Sequence, residues 1–212
     1  MRVSDDRYSR DRLRLDLAVR FIRHEARTRT IRVWTGLTDD RIRKLYRSYL
    51  AGDAHPQVAR HRGKSPQQAS FFTRSLEARE DAAALASLLQ LYGVLPRHPI
   101  PDAGRVLPCA QRGELLCSAY ESFSRIRPDS RISFEHAVFL TVALARADEL
   151  QPVACVDCTS LGLIDQLAMR GSRCLACGAL LAPGLSERAA RGSPFPVATG
   201  TGTRSARIAP RS

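Results

Sequence analysis

Four cysteines limit what this chain can fold into more than anything else in it. Cys155 and Cys158 form one Cys-x-x-Cys pair, Cys174 and Cys177 form a second, and fifteen residues separate the pairs. Each pair supplies two thiolates from one short turn, and the intervening segment brings the second turn opposite the first, as a tetrahedral zinc site requires. The spacing predicts one zinc ion per chain on all four sulfurs. Such a site leaves no corner for water or substrate, so its role is to fold a segment rather than to catalyse a reaction. Residues 153–180 have few large side chains and depend on the ion for folding energy. Gly178 suits a tight turn in which backbone amides approach sulfur, while Thr159 holds the equivalent place after the first pair.

Four thiolates on a divalent ion leave an excess of negative charge. Arg170 and Arg173 stand near enough in sequence to offset it, or else to face phosphate. A pair of redox-active dithiols is the competing reading, but no thioredoxin-like strand and helix flank either pair. Cys109 and Cys117 lie outside the quartet, and Cys117 falls among apolar helix positions, so both are expected to be inert thiols.

Charge divides the chain. Residues 1–64 hold 17 basic and 8 acidic residues, residues 65–182 hold 11 and 12, and residues 183–212 hold 5 and 1. A basic first third on a neutral body suits phosphate contact, because neutralising phosphates releases condensed counterions. Only Lys44 and Lys64 are lysines, so the positive charge is nearly all arginine. No stretch approaches the roughly 20 apolar residues needed to cross a bilayer, and the charged opening is no signal peptide. The expectation is a cytoplasmic protein with no membrane partner, in which paired cysteines bind metal rather than form disulfides.

Apolar periodicity predicts a mainly α chain. Leu15, Leu17, Phe21 and Ile22 mark one or two amphipathic helices between Leu13 and Val33. Gly36 breaks the pattern and Thr38 caps a new helix carrying Ile42, Leu45, Tyr46 and Tyr49. Residues 53–70 read as a loop or hinge, Thr73 to Tyr92 as a helix stopped by Gly93, and Pro96 to Pro108 as a connector. Further helices are expected from Glu114 to Ile126 and from Phe134 through Leu144 behind a Ser133 cap. The last is apolar on more than one face, so it is buried either within this chain or against another subunit. The predicted regions are a basic helical region at 1–52, a helical body that binds a partner at 53–152, the zinc-ribbon-like module at 153–182 and a disordered basic tail at 183–212.

The run from Thr30 to Leu45 places Ile31, Gly36, Leu37, Ile42 and Leu45 as a helix-turn-helix needs its turn glycine and packing residues. Its second helix would present Arg41, Arg43, Lys44, Arg47 and Ser48 to DNA. Arg32 stands where that motif prefers a small residue, and Asp39 and Asp40 stand at the end that approaches DNA. An ordinary helical hairpin with solvated arginines is the alternative.

Three stretches in order carry a family resemblance: Ala26 to Tyr46 with its Leu-Tyr ending, Ala119-Tyr-Glu-Ser-Phe123 leading into the apolar helix from Phe134 to Ala145, and the quartet directly after it. Over roughly residues 13–180 the chain resembles the FlhC family, subunits of the flagellar master transcription activator of proteobacteria. The Arg-rich opening, the segment from Ala51 to Arg79 and the basic tail after Pro183 depart from that pattern and mark a divergent copy. The resemblance implies a mainly helical protein with zinc on Cys155, Cys158, Cys174 and Cys177. It further implies assembly with FlhD, as four FlhD and two FlhC chains, on promoter DNA of flagellar class II genes, with recruitment of RNA polymerase. The expected function is therefore transcription activation and not enzyme catalysis. Rival readings are a redox-sensitive zinc switch and an RNA-binding zinc-ribbon protein.

Overall fold

The computed structural model describes residues 3–50, 65–95, 109–168 and 171–181. The expected hinge at 53–70 falls largely outside these residues, as do the connector after Pro96 and the tail beyond residue 182. The described chain is mainly helical: α1 Val3–Arg23, α2 Thr28–Thr35, α3 Asp39–Leu50, a short 3-10 turn at Ala69–Phe72, α4 Leu76–Leu91, α5 Ala110–Ile126 and α6 Phe134–Arg146. Strands β1 Leu150–Ala154 and β2 Leu161–Asp165 then pair antiparallel. No described helix is long and apolar enough to cross a membrane.

α1 begins ten residues before the apolar stripe that announced it. From Arg7 to Arg14 it is charged and mostly exposed, held by local pairs such as Arg12–Asp16 at 3.8 Å and Arg14–Asp11 at 4.0 Å, each contributing about 0.2–0.5 kcal/mol. In its second half Leu17, Ala18, Phe21 and Ile22 are fully buried. α5 likewise starts earlier than expected, and Gly113 lies within its first turn. A Cβ at Gly113 would stand 2.7 Å from Leu17 Cδ2, so the glycine permits the close approach of α1 to α5.

The Ser133 cap is the one the sequence announces, whereas α4 starts at Leu76 rather than Thr73, behind a Ser75 cap that was not expected. Ser75 accepts the Ala78 amide at 3.1 Å at the head of α4, and Ser133 forms a reciprocal box with His136 at the head of α6. α6 is buried within this chain: Phe134, Ala137, Leu140, Thr141, Ala143 and Leu144 all face inward. Phe134 meets Phe21 edge-on at 4.9 Å and stacks on His24. The basic amino-terminal helices and the body contribute to one continuous buried cluster, from Leu17 through Phe72, Leu89 and Phe123 to Leu163.

Polar bonds fix the helix order around that core. Arg20 grips Glu121 through two nitrogens at 2.9 and 2.8 Å and reaches Glu114 at 2.7 Å, tying α1 to α5. Buried Glu135 accepts the Arg27 amide at 2.8 Å and the Thr30 hydroxyl at 3.0 Å, tying α6 to the head of α2. Arg127 donates to buried Asp81 at 2.7 Å. Burial raises the Cys117 thiol far above its ordinary value, as an inert core cysteine requires.

The hairpin has two buried faces. Leu150 and Leu163 belong to the body core, whereas Val153 and Ile164 join Cys155, Cys174 and Leu181 in a second, smaller cluster. Strand alternation produces this division, since successive side chains point to opposite faces. Pro152 pairs with Leu163 and Val153 with Gly162. A Cβ at Gly162 would collide with Leu181 Cδ1, so this glycine lets the second knuckle close over the sheet.

Candidate metal centre

The turn that joins β1 to β2 is the first cysteine knuckle, and the second knuckle follows across the hairpin. The two are built alike. In the first, the Thr159 amide donates to the Cys155 carbonyl at 2.9 Å and the Cys155 amide to the Ser160 carbonyl at 2.9 Å. In the second, the Gly178 amide donates to the Cys174 carbonyl at 3.0 Å and the Cys174 amide to the Ala179 carbonyl at 2.7 Å. Thr159 and Gly178 both adopt the left-handed conformation, at φ 61° and 78°. That geometry is free for Gly178 and strained for β-branched Thr159.

This pairing brings Cys155, Cys158, Cys174 and Cys177 together, with all four sulfurs within 4.8 Å of one another. Across the knuckles Cys155 and Cys177 lie 3.5 Å apart, as do Cys158 and Cys174. These separations are far beyond a sulfur–sulfur bond, about 2.05 Å. The four side chains can hold a metal ion, and they form the one such cluster of His, Cys, Asp or Glu among the described residues.

The sulfurs do not share one environment. The Ser160 hydroxyl, followed by the amides of Cys177 and Ala176, lowers the Cys174 thiol to about 6. Ser160 also lowers Cys158. Cys177 is pushed up to about 12: the Ala179 amide favours its thiolate, but the neighbouring Cys155, Cys158 and Cys174 sulfurs outweigh it. Four negative sulfurs this close repel, and a cation at their centre is what allows all four to be ionised together.

Ser160 is the residue that spacing did not reveal. Its hydroxyl stands 3.0 Å from Cys158 Sγ and 3.1 Å from Cys174 Sγ, one sulfur from each knuckle. Of the two arginines expected to balance the thiolates, Arg173 is engaged by a backbone carbonyl rather than by sulfur. Arg173 donates to the Gly178 carbonyl at 3.1 Å, while its own carbonyl accepts from Arg79 at 2.6 Å. It therefore braces the second knuckle against α4. Arg170 lies outside the described residues.

The other candidate residues lie on α3. Gly36, left-handed at φ 70°, ends α2, and Thr38 accepts from the Arg41 amide at 3.4 Å at the head of α3. Ile31, Trp34, Leu37, Ile42 and Tyr46 are buried between the helices, and the Tyr46 hydroxyl donates to the Ala26 carbonyl at 2.7 Å. Arg32 avoids the contact between helices: it is exposed and pairs with Asp39 at 3.7 Å. Arg43 binds Asp40 at 2.9 Å and Arg41 reaches Asp11 of α1 at 3.5 Å. Lys44 and Arg47 are exposed, and no ion pair engages either among the described residues.

No protein-family model matches this chain, and neither does any curated protein.

Proposed function

We propose that this chain is a DNA-binding subunit of a bacterial transcription activator of the FlhC kind, with a structural zinc ion on Cys155, Cys158, Cys174 and Cys177. The observation that carries the reading is the closed cluster of four sulfurs. A tetrahedron with about 2.3 Å from zinc to each thiolate has edges of about 3.8 Å, and the sulfur separations, from 3.5 Å across the knuckles to 4.8 Å at most, bracket that value. When bound, the ion supplies folding energy and charge compensation and leaves no open position for a reacting molecule.

The DNA contact is assigned to α3, used as the second helix of a helix-turn-helix. Arg41 and Arg43 are partly committed to Asp11 and Asp40, so Lys44 and Arg47 are the cations left to meet phosphate. Activation follows from holding RNA polymerase at the promoter in a hetero-oligomer with FlhD, and the resemblance alone supports that partner and the flagellar promoters. Two measurements test the reading. Metal analysis is expected to give one zinc per chain, and well-folded protein without metal refutes the centre. Binding to a flagellar promoter duplex is expected to weaken steeply with salt, and the double variant Lys44→Ala/Arg47→Ala is expected to reduce the log–log slope by about 2. A slope unchanged by the double variant removes α3 from the interface.

A redox-sensitive zinc switch is the second reading, favoured by the exposure of Cys177 and its 3.5 Å approach to Cys155. Zinc release under mild peroxide together with loss of duplex binding would select it.

A further inference from the structure

The two knuckles share their backbone bonds and differ in one informative side chain. Position for position, the residue whose carbonyl accepts the first cysteine's amide is Ser160 in one knuckle and Ala179 in the other. Alanine is thus fully compatible with the turn, and the Ser160 hydroxyl is not needed to form it. What the hydroxyl does instead is reach the sulfurs, at 3.0 Å from Cys158 and 3.1 Å from Cys174. Ala179 has no group to offer in return.

We propose that Ser160 is a positioning residue of the metal centre, whose hydroxyl links one sulfur of each knuckle and so retains the ion. The inference rests on the reading of the quartet as a metal site. A hydroxyl carries a single proton, so at any moment it donates to one thiolate and can turn to the other without moving its backbone. The Cys155–Ser160 bond at 2.9 Å fixes that backbone. Each donated bond withdraws electron density from a thiolate that already carries excess negative charge, and it holds the Cys158 and Cys174 sulfurs at the separation the ion requires. Arg173 does not compete for this role, because its guanidinium is engaged by the Gly178 carbonyl. Among the described residues, Ser160 supplies the non-cysteine side chain that hydrogen-bonds to the ligand sulfurs.

The test uses the full chain loaded with zinc and measures the rate of transfer to a chromogenic chelator in excess. Ser160→Ala is expected to release zinc about tenfold faster, in line with the general cost of removing an outer-shell partner. Ser160→Thr, which keeps the hydroxyl, is expected to stay within about threefold of the parent. Cobalt substitution gives an independent readout: the sulfur-to-cobalt charge-transfer band is expected to shift in Ser160→Ala and to hold in Ser160→Thr. Fluorescence of Trp34, the sole tryptophan, buried in the body core, reports separately whether each variant folds. Equal release from Ser160→Ala and the parent overturns the proposal, and so does equal acceleration in both variants, which would make packing rather than the hydroxyl responsible. A parent protein that binds neither zinc nor cobalt defeats the metal reading itself, a result distinct from either.

Discussion

The body and the cysteine module solve the same problem by opposite means. The body buries Phe21, Phe72, Phe123, Phe134 and a continuous set of aliphatic side chains, with none of the four quartet cysteines among them. The module's own buried cluster is Val153, Cys155, Ile164, Cys174 and Leu181, in which two of five residues are the cysteines themselves. At about 1.5–3 kcal/mol per fully buried aliphatic side chain, three such residues do not offset the ordering of two knuckles. In the body, cohesion is spread over many contacts and survives the loss of any one. In the module it is concentrated at one point, with little to replace it.

Removing the metal breaks the comparison most sharply. On the proposed zinc reading, stripping the ion with a chelator, or introducing Cys174→Ser, is expected to abolish amide-exchange protection in β1 and β2, because apparent zinc-binding energies of about 10 kcal/mol or more serve as folding energy in such modules. Far-ultraviolet helical signal and Trp34 emission are expected to persist; their simultaneous loss would mean that the body also depends on the ion. The converse variant is Phe134→Ala, which removes a ring packed between Phe21, His24 and Tyr120. It is expected to cost about 3–5 kcal/mol in urea denaturation of the helices.

Acid should weaken the body through two groups on α1 and α5. Burial lowers His24 below its ordinary value in spite of Glu121, and the bond to Arg20 lowers Glu121. The unfolded chain therefore takes up a proton on His24 first as pH falls below about 6.5, and on Glu121 below about 4.3. Stability is full above those values and declines with acidification, with the Glu121 contribution reduced by solvent screening. Denaturation midpoints at stepwise pH should show the decline, and His24→Gln should flatten its upper part. Thr159→Gly is expected to relieve the left-handed strain and stabilise the module by about 1 kcal/mol, seen as stronger exchange protection in the knuckle. At the small end, Arg12→Ala removes only an exposed pair and should change the denaturation midpoint by less than about 0.5 kcal/mol.

The cysteine site was legible from the sequence because its requirement is local: four sulfurs in two short turns leave few ways to be wrong. The Gly36 turn and the Thr38 and Ser133 caps were legible for the same reason. The start of α1 was not, because a charged surface helix held by arginine–aspartate pairs shows no apolar stripe. The role of Gly113 was not legible either, since its accommodation of Leu17 shows only once α1 and α5 are packed. The two strands gave no hairpin signal because their turn is a Cys-x-x-Cys knuckle rather than an Asn-Gly or Asp-Gly pair. Ser160 was invisible until the sulfurs had positions, since a serine in a loop carries no message of its own.

The two-faced hairpin has a consequence for how such a chain can change over generations. Leu163 and Ile164 are neighbours in sequence, yet one answers to the helical core and the other to Leu181 and the cysteines. Substitutions at these adjacent positions should drift independently of each other. Residues far apart, Gly162 with Leu181 or Gly113 with Leu17, are bound to change in concert or not at all.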